Sequence, residues 1–216
     1  MRHLESCPLV IFIAYTVPED AEDRGYSQWL RDVDMPFFNA IPGTGHYANW
    51  RITERLKGAP TAWDYFDFQG LESEDDLERV WFNPDLDEFR KNWIALWGYG
   101  AGEAPAVMRN AYLMRRIGPA EPRLDRTLTL SAGSGTAPEH MGHTRWQVEG
   151  VLHKHFGGAG GGDWLTPATM ANPLDLDWLS ITYGAEENAQ TEADLVCSAR
   201  LIAAPDRDSA TGAAPL

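Results

Sequence analysis

The sequence predicts an α+β fold made of two consecutive units, each with the element order β-α-β-β-α-β. Short runs of β-branched and aromatic residues alternate with segments whose apolar residues recur at helical spacing. The order of these runs in residues 9–117 recurs in residues 126–204. Such an order is the ferredoxin-like pattern. We therefore expect tandem ferredoxin-like units at 1–118 and 119–204, the second one divergent, followed by a disordered tail at 205–216.

The first unit contains four predicted strands and two predicted helices. Helix one, residues 19–34, has apolar residues at 26, 29, 30 and 33 and should end at Pro36, because proline disfavours helix in the residue before it. Helix two should begin at Ser73, a good N-cap followed by three acidic residues, be interrupted at Asn83-Pro84 and end before Gly98. The predicted strands are 9–16, 45–52, 63–69 and 110–117.

The second unit is predicted from weaker signals. A strand at 126–131 precedes a capping box at Thr136–Glu139, which predicts a helix continuing to Phe156 with apolar residues at 141, 148, 152 and 156. A Gly-rich loop follows at 157–163, and it lacks the lysine of a phosphate-binding loop. The remaining predicted elements are strands at 164–170 and 176–183, a helix at 186–199 and a strand at 200–204.

Composition excludes several classes of protein. The chain has 216 residues and a formal net charge of −14, which disfavours nucleic acid and anionic membranes as partners. Its two cysteines provide neither a disulfide framework nor a CxxC metal pair. Residues 9–15 are apolar but short and β-branched, so they predict a first strand and not a signal peptide. We expect a cytoplasmic protein with no membrane span.

A family resemblance rests on residues 14–52. The sequences AYT and YSQWLRDVDMPFFNAIPGTGHYANWRI resemble the dimeric α/β-barrel superfamily, and within it the EthD-like group, over roughly residues 8–118. The resemblance implies two ferredoxin-like sheets that face each other around a pocket, within one chain or between two subunits of a homodimer. Members include cofactor-free monooxygenases, polyketide cyclases, dehydratases, muconolactone isomerases and haem enzymes. Many relatives carry a histidine where this chain has Asp34, so this carboxylate is a candidate to replace that histidine.

Strand three supplies the first candidates for chemistry. Its residues alternate, and Phe66 and Phe68 suit the face under the helices. The other face would then point into the barrel, where burial would suit Asp67 to act as a general base. The alternative is that Asp67 is a solvated edge residue or the partner of an arginine. The remaining members of this face are predicted to be Trp63, Tyr65 and Gln69.

Strand two supplies the second set. His46 is a candidate acid/base group near neutral pH, the alternative being a surface histidine beside a turn. Trp50 is either a platform for the substrate or plain core, while Asn49 and Arg51 would orient a phenol-like substrate. The predicted catalytic residues are Asp67, His46, Tyr65 and Asp34. The predicted substrate contacts are Trp50, Asn49, Arg51, Trp63 and Gln69.

Four of the six histidines lie within 16 residues, at 140, 143, 153 and 155. Their spacing does not form the HExxH zinc motif. In haem-binding relatives with fused repeats, the proximal histidine lies in the second repeat, so the resemblance makes His153 and His155 the candidate haem ligands. Solvated or core histidines are the alternative, and no metal site is predicted.

These observations favour a cofactor-independent enzyme that acts by acid/base chemistry on a hydrophobic aromatic or polyketide-like molecule. Cyclisation, isomerisation, dehydration and cofactor-free oxidation all fit such a site. Two alternatives stay open: a haem-binding α/β-barrel enzyme, and a non-catalytic protein that binds a small molecule or forms an assembly. A fold alone does not choose among these reactions.

Overall fold

A computed structural model describes residues 3–59, 63–98, 109–119, 123, 125–139, 142–152, 165–167, 174–184 and 192–205. The strands are β1 Leu9–Tyr15, β2 Thr44–Lys57, β3 Tyr65–Leu71, β4 Arg109–Ile117, β5 Thr127–Gly133, β6 Thr144–Leu152, β7 Leu165–Pro167, β8 Trp178–Tyr183 and β9 Leu195–Ala203. The α-helices are α1 Tyr26–Trp29, α2 Met35–Ala40, α3 Leu77–Trp81 and α4 Asp85–Trp97. A π-helical segment, Leu30–Asp34, joins α1 to α2, and short 3₁₀ turns lie at Leu4–Ser6 and Glu74–Asp76.

Eight antiparallel strands close into a barrel. Their order is β4-β1-β3-β2-β9-β5-β8-β6, and β6 pairs back with β4, for example through Tyr112 opposite Val151. β7 adds to the outside of this ring by pairing with β6. The barrel is therefore completed within one chain, which decides between the two arrangements that the resemblance implied.

Both halves of the barrel use the same strand order. Strands from the first half run β4-β1-β3-β2, and the corresponding strands of the second half run β9-β5-β8-β6. Helices fill both connections of the first half. In the second half, the described residues between β5 and β6 contain no helix.

The predicted helix at 136–156 is wrong from Thr144 onward, because β6 occupies Thr144–Leu152. Its apolar residues at 148, 152 and 156 are spaced by four, which satisfies the two-residue period of a strand as well as a helical turn. Trp146, Val148 and Leu152 are buried while Arg145 and Gln147 are partly exposed, as a half-buried strand requires.

Two other helix predictions also fail. The predicted helix at 186–199 overlaps β9, which begins at Leu195 and also includes the predicted strand at 200–204. In the first half, the helical path does not stop at Pro36. It continues through α2 to Ala40, with Pro36 in the first turn of α2, where its missing N–H costs least.

Side chains from the eight strands of the ring fill the barrel interior. The largest of them are aromatic and at most 2% exposed: Phe12, Trp50, Trp63, Phe66, Phe68, Tyr112 and Trp146. A second apolar layer lies between the outer face of the first-half sheet and the helices, and includes Ile11, Leu30, Phe38, Leu86 and Trp97. Among the described helices, none combines the length and apolar character needed to cross a membrane.

Candidate functional site

Polar side chains are buried together in the layer between the first-half sheet and the helices. Asp34 and Asp67 are each 3% exposed and Asn49 is 0% exposed. The sequence predicted the opposite orientation for strand three, with Asp67 inside the barrel and Phe66 and Phe68 under the helices. That prediction is wrong, because Phe66 and Phe68 complete the aromatic packing inside the barrel.

The two carboxyl groups contact the same two donors. The hydroxyl of Tyr47 lies 2.8 Å from Oδ2 of Asp34 and 2.9 Å from Oδ2 of Asp67. Nδ2 of Asn49 donates to Oδ2 of Asp34 at 2.8 Å and to Oδ1 of Asp67 at 2.9 Å. Asn49 and Asp67 are directly opposite each other on β2 and β3, so strand pairing itself brings the amide to the carboxyl group.

A count of protons shows how the pair can be stable. The Tyr47 hydroxyl has one proton, but it makes two short contacts with carboxyl oxygens, and each contact needs a proton between the oxygens. We infer that one carboxyl group is protonated and donates to the Tyr47 oxygen, while Tyr47 donates to the other. Two like charges this close would otherwise repel in a buried site. The pair is thus an acid and a base joined by a phenol.

Further donors favour the ionised form of Asp67. The Tyr15 hydroxyl lies 3.2 Å from Oδ1 of Asp67, and the Tyr26 hydroxyl donates to that of Tyr15 at 3.1 Å. Trp93 Nε1 in turn donates to Tyr26 at 3.2 Å. Asp67 therefore receives donors on both of its oxygens, which favours the charged form. By this assignment Asp34 holds the proton.

Local backbone structure explains why Asp34 points inward. The π-helical segment Leu30–Asp34 buries its first and last residues and leaves Arg31, Asp32 and Val33 exposed. Pro36 follows and cannot donate the hydrogen bond that would continue a regular α-helix. Single π-helical turns are often found at functional sites.

Asn39 fixes the other partner of the bridge. Its side-chain amide donates to the carbonyl oxygen of Tyr47 at 3.0 Å, and its Oδ1 accepts from the Tyr47 backbone N–H at 2.9 Å. The Tyr47 ring also stacks on Phe38 of α2, with centroids 4.2 Å apart. Helix α2 therefore positions the phenol of Tyr47 by binding the Tyr47 backbone through Asn39 and by stacking Phe38 on the Tyr47 ring.

A cavity of about 20 Å³ opens beside the two carboxyl groups. This volume holds about one water molecule. Its wall combines the acid/base groups with aromatic rings from the helices: Tyr15, Asp34, Phe38, Tyr47, Asp67, Phe89, Arg90 and Trp93. Phe89 and Trp93 lie on α4 and are only partly buried, so the outer wall of the cavity is formed by side chains that can move.

Arg90 brings a cation to this wall. It is 7% exposed, its guanidinium lies over the Trp81 ring at 5.2 Å, and its Nη1 is buried with no hydrogen-bond partner in the described structure. A buried, unpartnered donor of this kind is costly unless something else uses it. The cavity thus presents a carboxylate, a carboxylic acid and a guanidinium among aromatic side chains.

Residues 9–96, from β1 almost to the end of α4, match the family model described as "REDY-like protein HapK". This family is part of the dimeric α/β-barrel superfamily, in its EthD-like group. This part of the chain is therefore similar to a family of the dimeric α/β-barrel superfamily. No curated protein and no solved structure matches it. Asp34, Tyr47, Asn49, Asp67 and Arg90 all lie within the matched range.

Several residues predicted for the site lie elsewhere in this α/β-barrel protein. His46 is buried opposite Gly70, on the strand face of Ala48 and Trp50 and away from Asp67. Trp50 and Trp63 are part of the barrel interior. Gln69 shares the face of Asp67, but its Nε2 donates to Oγ1 of Thr44 at 3.1 Å.

Tyr65 and Arg51 line a separate cleft at one end of the sheet. The Tyr65 hydroxyl donates to Glu22, the Arg51 guanidinium is 3.5 Å from the same carboxylate, and Arg51 lies over the Tyr65 ring at 5.8 Å. Burial is the largest influence on the pKa of the Glu22 carboxyl and raises it. Hydrogen bonds from Ser27 and Tyr65, with the charge of Arg51, outweigh burial and leave this pKa lowered.

The histidine cluster lies largely outside the described residues, which exclude His140, His153 and His155. His143 is described, and it contacts Arg123 and accepts from the Tyr183 backbone N–H at 3.0 Å. Within the described part of the chain, no group of three or more metal-ligating side chains is found.

The sequence analysis missed Arg90, Tyr47 and Tyr15 as members of the site. For Arg90 a signal was present, because Leu86, Arg90 and Trp97 are the buried residues of α4. A cation at a core position of an amphipathic helix is such a signal. For Tyr47 the signal was its position two residues before Asn49, which places both side chains on one face of β2.

Buried tyrosines should make the protein sensitive to alkali. Burial first, and then the nearby carboxylates, raise the pKa of Tyr15, Tyr26 and Tyr47 well above the usual value of 10.0. Above pH 10 these tyrosines ionise in the unfolded chain but not in the folded protein. Their contribution to the free energy of unfolding is therefore complete below pH 10 and is lost as the pH rises. Each tyrosine removes about 1.4 kcal/mol per pH unit, so these three alone should lower the free energy of unfolding, measured by urea titration, by about 4 kcal/mol per pH unit above pH 10. Ionisation of all three in the folded protein near pH 10 would contradict this expectation, and Tyr26→Phe should reduce the slope by about 1.4 kcal/mol per pH unit.

Proposed function

We propose that the chain is an enzyme that moves protons on a hydrophobic aromatic or polyketide-like molecule, without a cofactor. Asp67 acts as the general base and Asp34 as the general acid, with Tyr47 holding both. The observation that carries the proposal is the buried pair of carboxyl groups sharing one phenol and one amide. Enzymes that move protons often use two carboxyl groups in different protonation states, one as the acid and one as the base.

The surroundings of the pair support an aromatic substrate. Phe38, Phe89 and Trp93 line the cavity, and Phe89 also stacks on Phe37 with centroids 4.0 Å apart. Small-molecule sites are usually apolar with a few convergent polar groups. The present cavity has room for about one water, so substrate binding requires the side chains of α4 to move outward.

Helix α4 is suited to such a movement. Its hydrogen bonds to the rest of the protein include one from Trp93 Nε1 to the Tyr26 hydroxyl and one from Arg24 Nη1 to the carbonyl oxygen of Leu96, at 2.7 Å. Its inner face packs mainly through aromatic rings that contact Trp29. Aromatic side chains that change rotamer can admit a ligand without breaking the sheet, which keeps the carboxyl pair in place.

Solvent exchange provides the test of this function. α-Tetralone is a bicyclic aromatic ketone with hydrogens beside the carbonyl group, and its exchange in deuterated buffer can be followed by proton NMR. The protein should accelerate this exchange by about 100-fold or more over buffer alone, the usual size of general-base catalysis. Exchange no faster than with an equal concentration of a carboxylate buffer would overturn the proposal.

The second half of the chain supports a related structural proposal. We propose that it is a diverged ferredoxin-like unit, since β9-β5-β8-β6 repeats the strand order of the first half. Its role would be to close the barrel and stabilise the sheet that carries Asn49 and Asp67. A homodimer, a cytoplasmic location and the haem alternative at His153 or His155 stay predictions.

A further inference from the structure

Resting on the proposed function, we propose that Arg90 is an oxyanion-binding residue and that the substrates are enolisable carbonyl compounds. The Arg90 guanidinium is buried, lines the cavity with both carboxyl groups and has an Nη1 without a hydrogen-bond partner in the described structure. The guanidinium also makes a cation–π contact with the Trp81 ring, at 5.2 Å. A fixed cation facing a cavity is suited to an oxygen that becomes negative during the reaction.

The proton and charge balance of the reaction fits these three groups. Asp67 takes a proton from the carbon beside the carbonyl group, and the C–H electron pair forms a carbon–carbon double bond. The carbonyl electron pair moves to oxygen, where the negative charge lies against Arg90. Asp34 then gives its proton to the carbon skeleton at the same or another position, and the proton on Asp67 returns to Asp34 through Tyr47.

Electrostatics favour this assignment over a purely structural role. With Asp34 protonated, Asp67 and Arg90 leave the empty cavity with no net charge. Proton abstraction neutralises Asp67 and creates one negative charge on the substrate oxygen, so the cavity stays neutral throughout. Charge therefore moves within the site and no additional charge has to be buried.

A phenol tests the oxyanion site independently of turnover. 4-Nitrophenol resembles an enol, and the absorbance of its phenolate reports ionisation directly. Bound 4-nitrophenol should pass its proton to Asp67, so that the cavity stays neutral. The phenolate form should then be favoured over the phenol about 10-fold to 1,000-fold more than in free solution, because the nearby charge of Arg90 favours the ionised form to this extent. Arg90→Met should lose this preference and Arg90→Lys should retain part of it. Lys91→Met, which removes an exposed cation from the same helix, should behave as the wild type.

The outcomes separate this inference from the proposed function. An equal phenolate preference in wild type and Arg90→Met, or no binding of 4-nitrophenol to the wild type, would overturn the oxyanion role even if α-tetralone exchanges. An Arg90-dependent phenolate preference without α-tetralone exchange would leave the oxyanion site standing and overturn the acid/base function. A loss of folding in Arg90→Met, with Arg90→Lys folded but showing no preference, would assign Arg90 a structural role only.

Discussion

Asp67→Asn should abolish catalysed exchange of α-tetralone, lowering the rate by about 100-fold to 10,000-fold, the range contributed by a positioned general base. Asparagine keeps the shape of the side chain but cannot accept a proton at this step. The measurement is the exchange rate by NMR at saturating substrate, with circular dichroism showing that the variant is folded.

Asp75→Asn is the matched control for this experiment. Asp75 is exposed in the turn after β3, so its loss changes the net charge equally without altering the buried pair. Its exchange rate should equal that of the wild type. An unchanged rate in Asp67→Asn would remove Asp67 from the mechanism, whatever its effect on stability.

Tyr47→Phe should destabilise the protein by about 2–6 kcal/mol, since its hydroxyl contacts both carboxyl groups. Removing it leaves Oδ2 of Asp34 and Oδ2 of Asp67 each without this partner in a buried site, and each such loss costs about 1–3 kcal/mol. The free energy of unfolding at neutral pH, measured by urea titration, provides the value.

Tyr112→Phe gives the control within the same fold. Tyr112 is also fully buried, but its hydroxyl has no hydrogen-bond partner in the described structure. Deleting that hydroxyl should be neutral or slightly stabilising. If the two variants lose equal free energy of unfolding, the hydrogen bonds of the Tyr47 hydroxyl do not stabilise the protein.

Much of the first half was predictable from the sequence. Side chains of a strand point alternately to its two sides, so Tyr47 and Asn49 are expected on one face of β2 and Trp50 on the other. Periodicity does not say which face is inside the barrel. That choice depended on aromatic packing inside the barrel, where Phe66 meets Trp50 of the same half and Phe68 meets Trp146 of the second half. The hydrogen bonds of Asp67 then offset the free-energy cost of burying its carboxyl group under the helices.

The second half shows where sequence patterns fail. Residues Val148 and Leu152 are spaced by four, so they satisfy a helical turn and a strand face equally. Pairing of β6 with both β4 and β8 decides for the strand, and such long-range partners leave no local signal. Asp34 was recognised as a candidate because the family resemblance places it where many relatives carry a histidine, but its distance to Asp67 arises only from the fold.

Infrared spectroscopy at neutral pH, with ¹³C label in the aspartate carboxyl groups, tests the shared proton most directly. A protonated carboxyl group has a carbonyl stretch separate from the carboxylate bands, and this band shifts with the isotope. We expect the band in the wild type and its loss in Asp34→Asn. A wild-type spectrum with no band that Asp34→Asn or Asp67→Asn removes would show both carboxyl groups ionised, and would contradict an acid and a base joined by Tyr47.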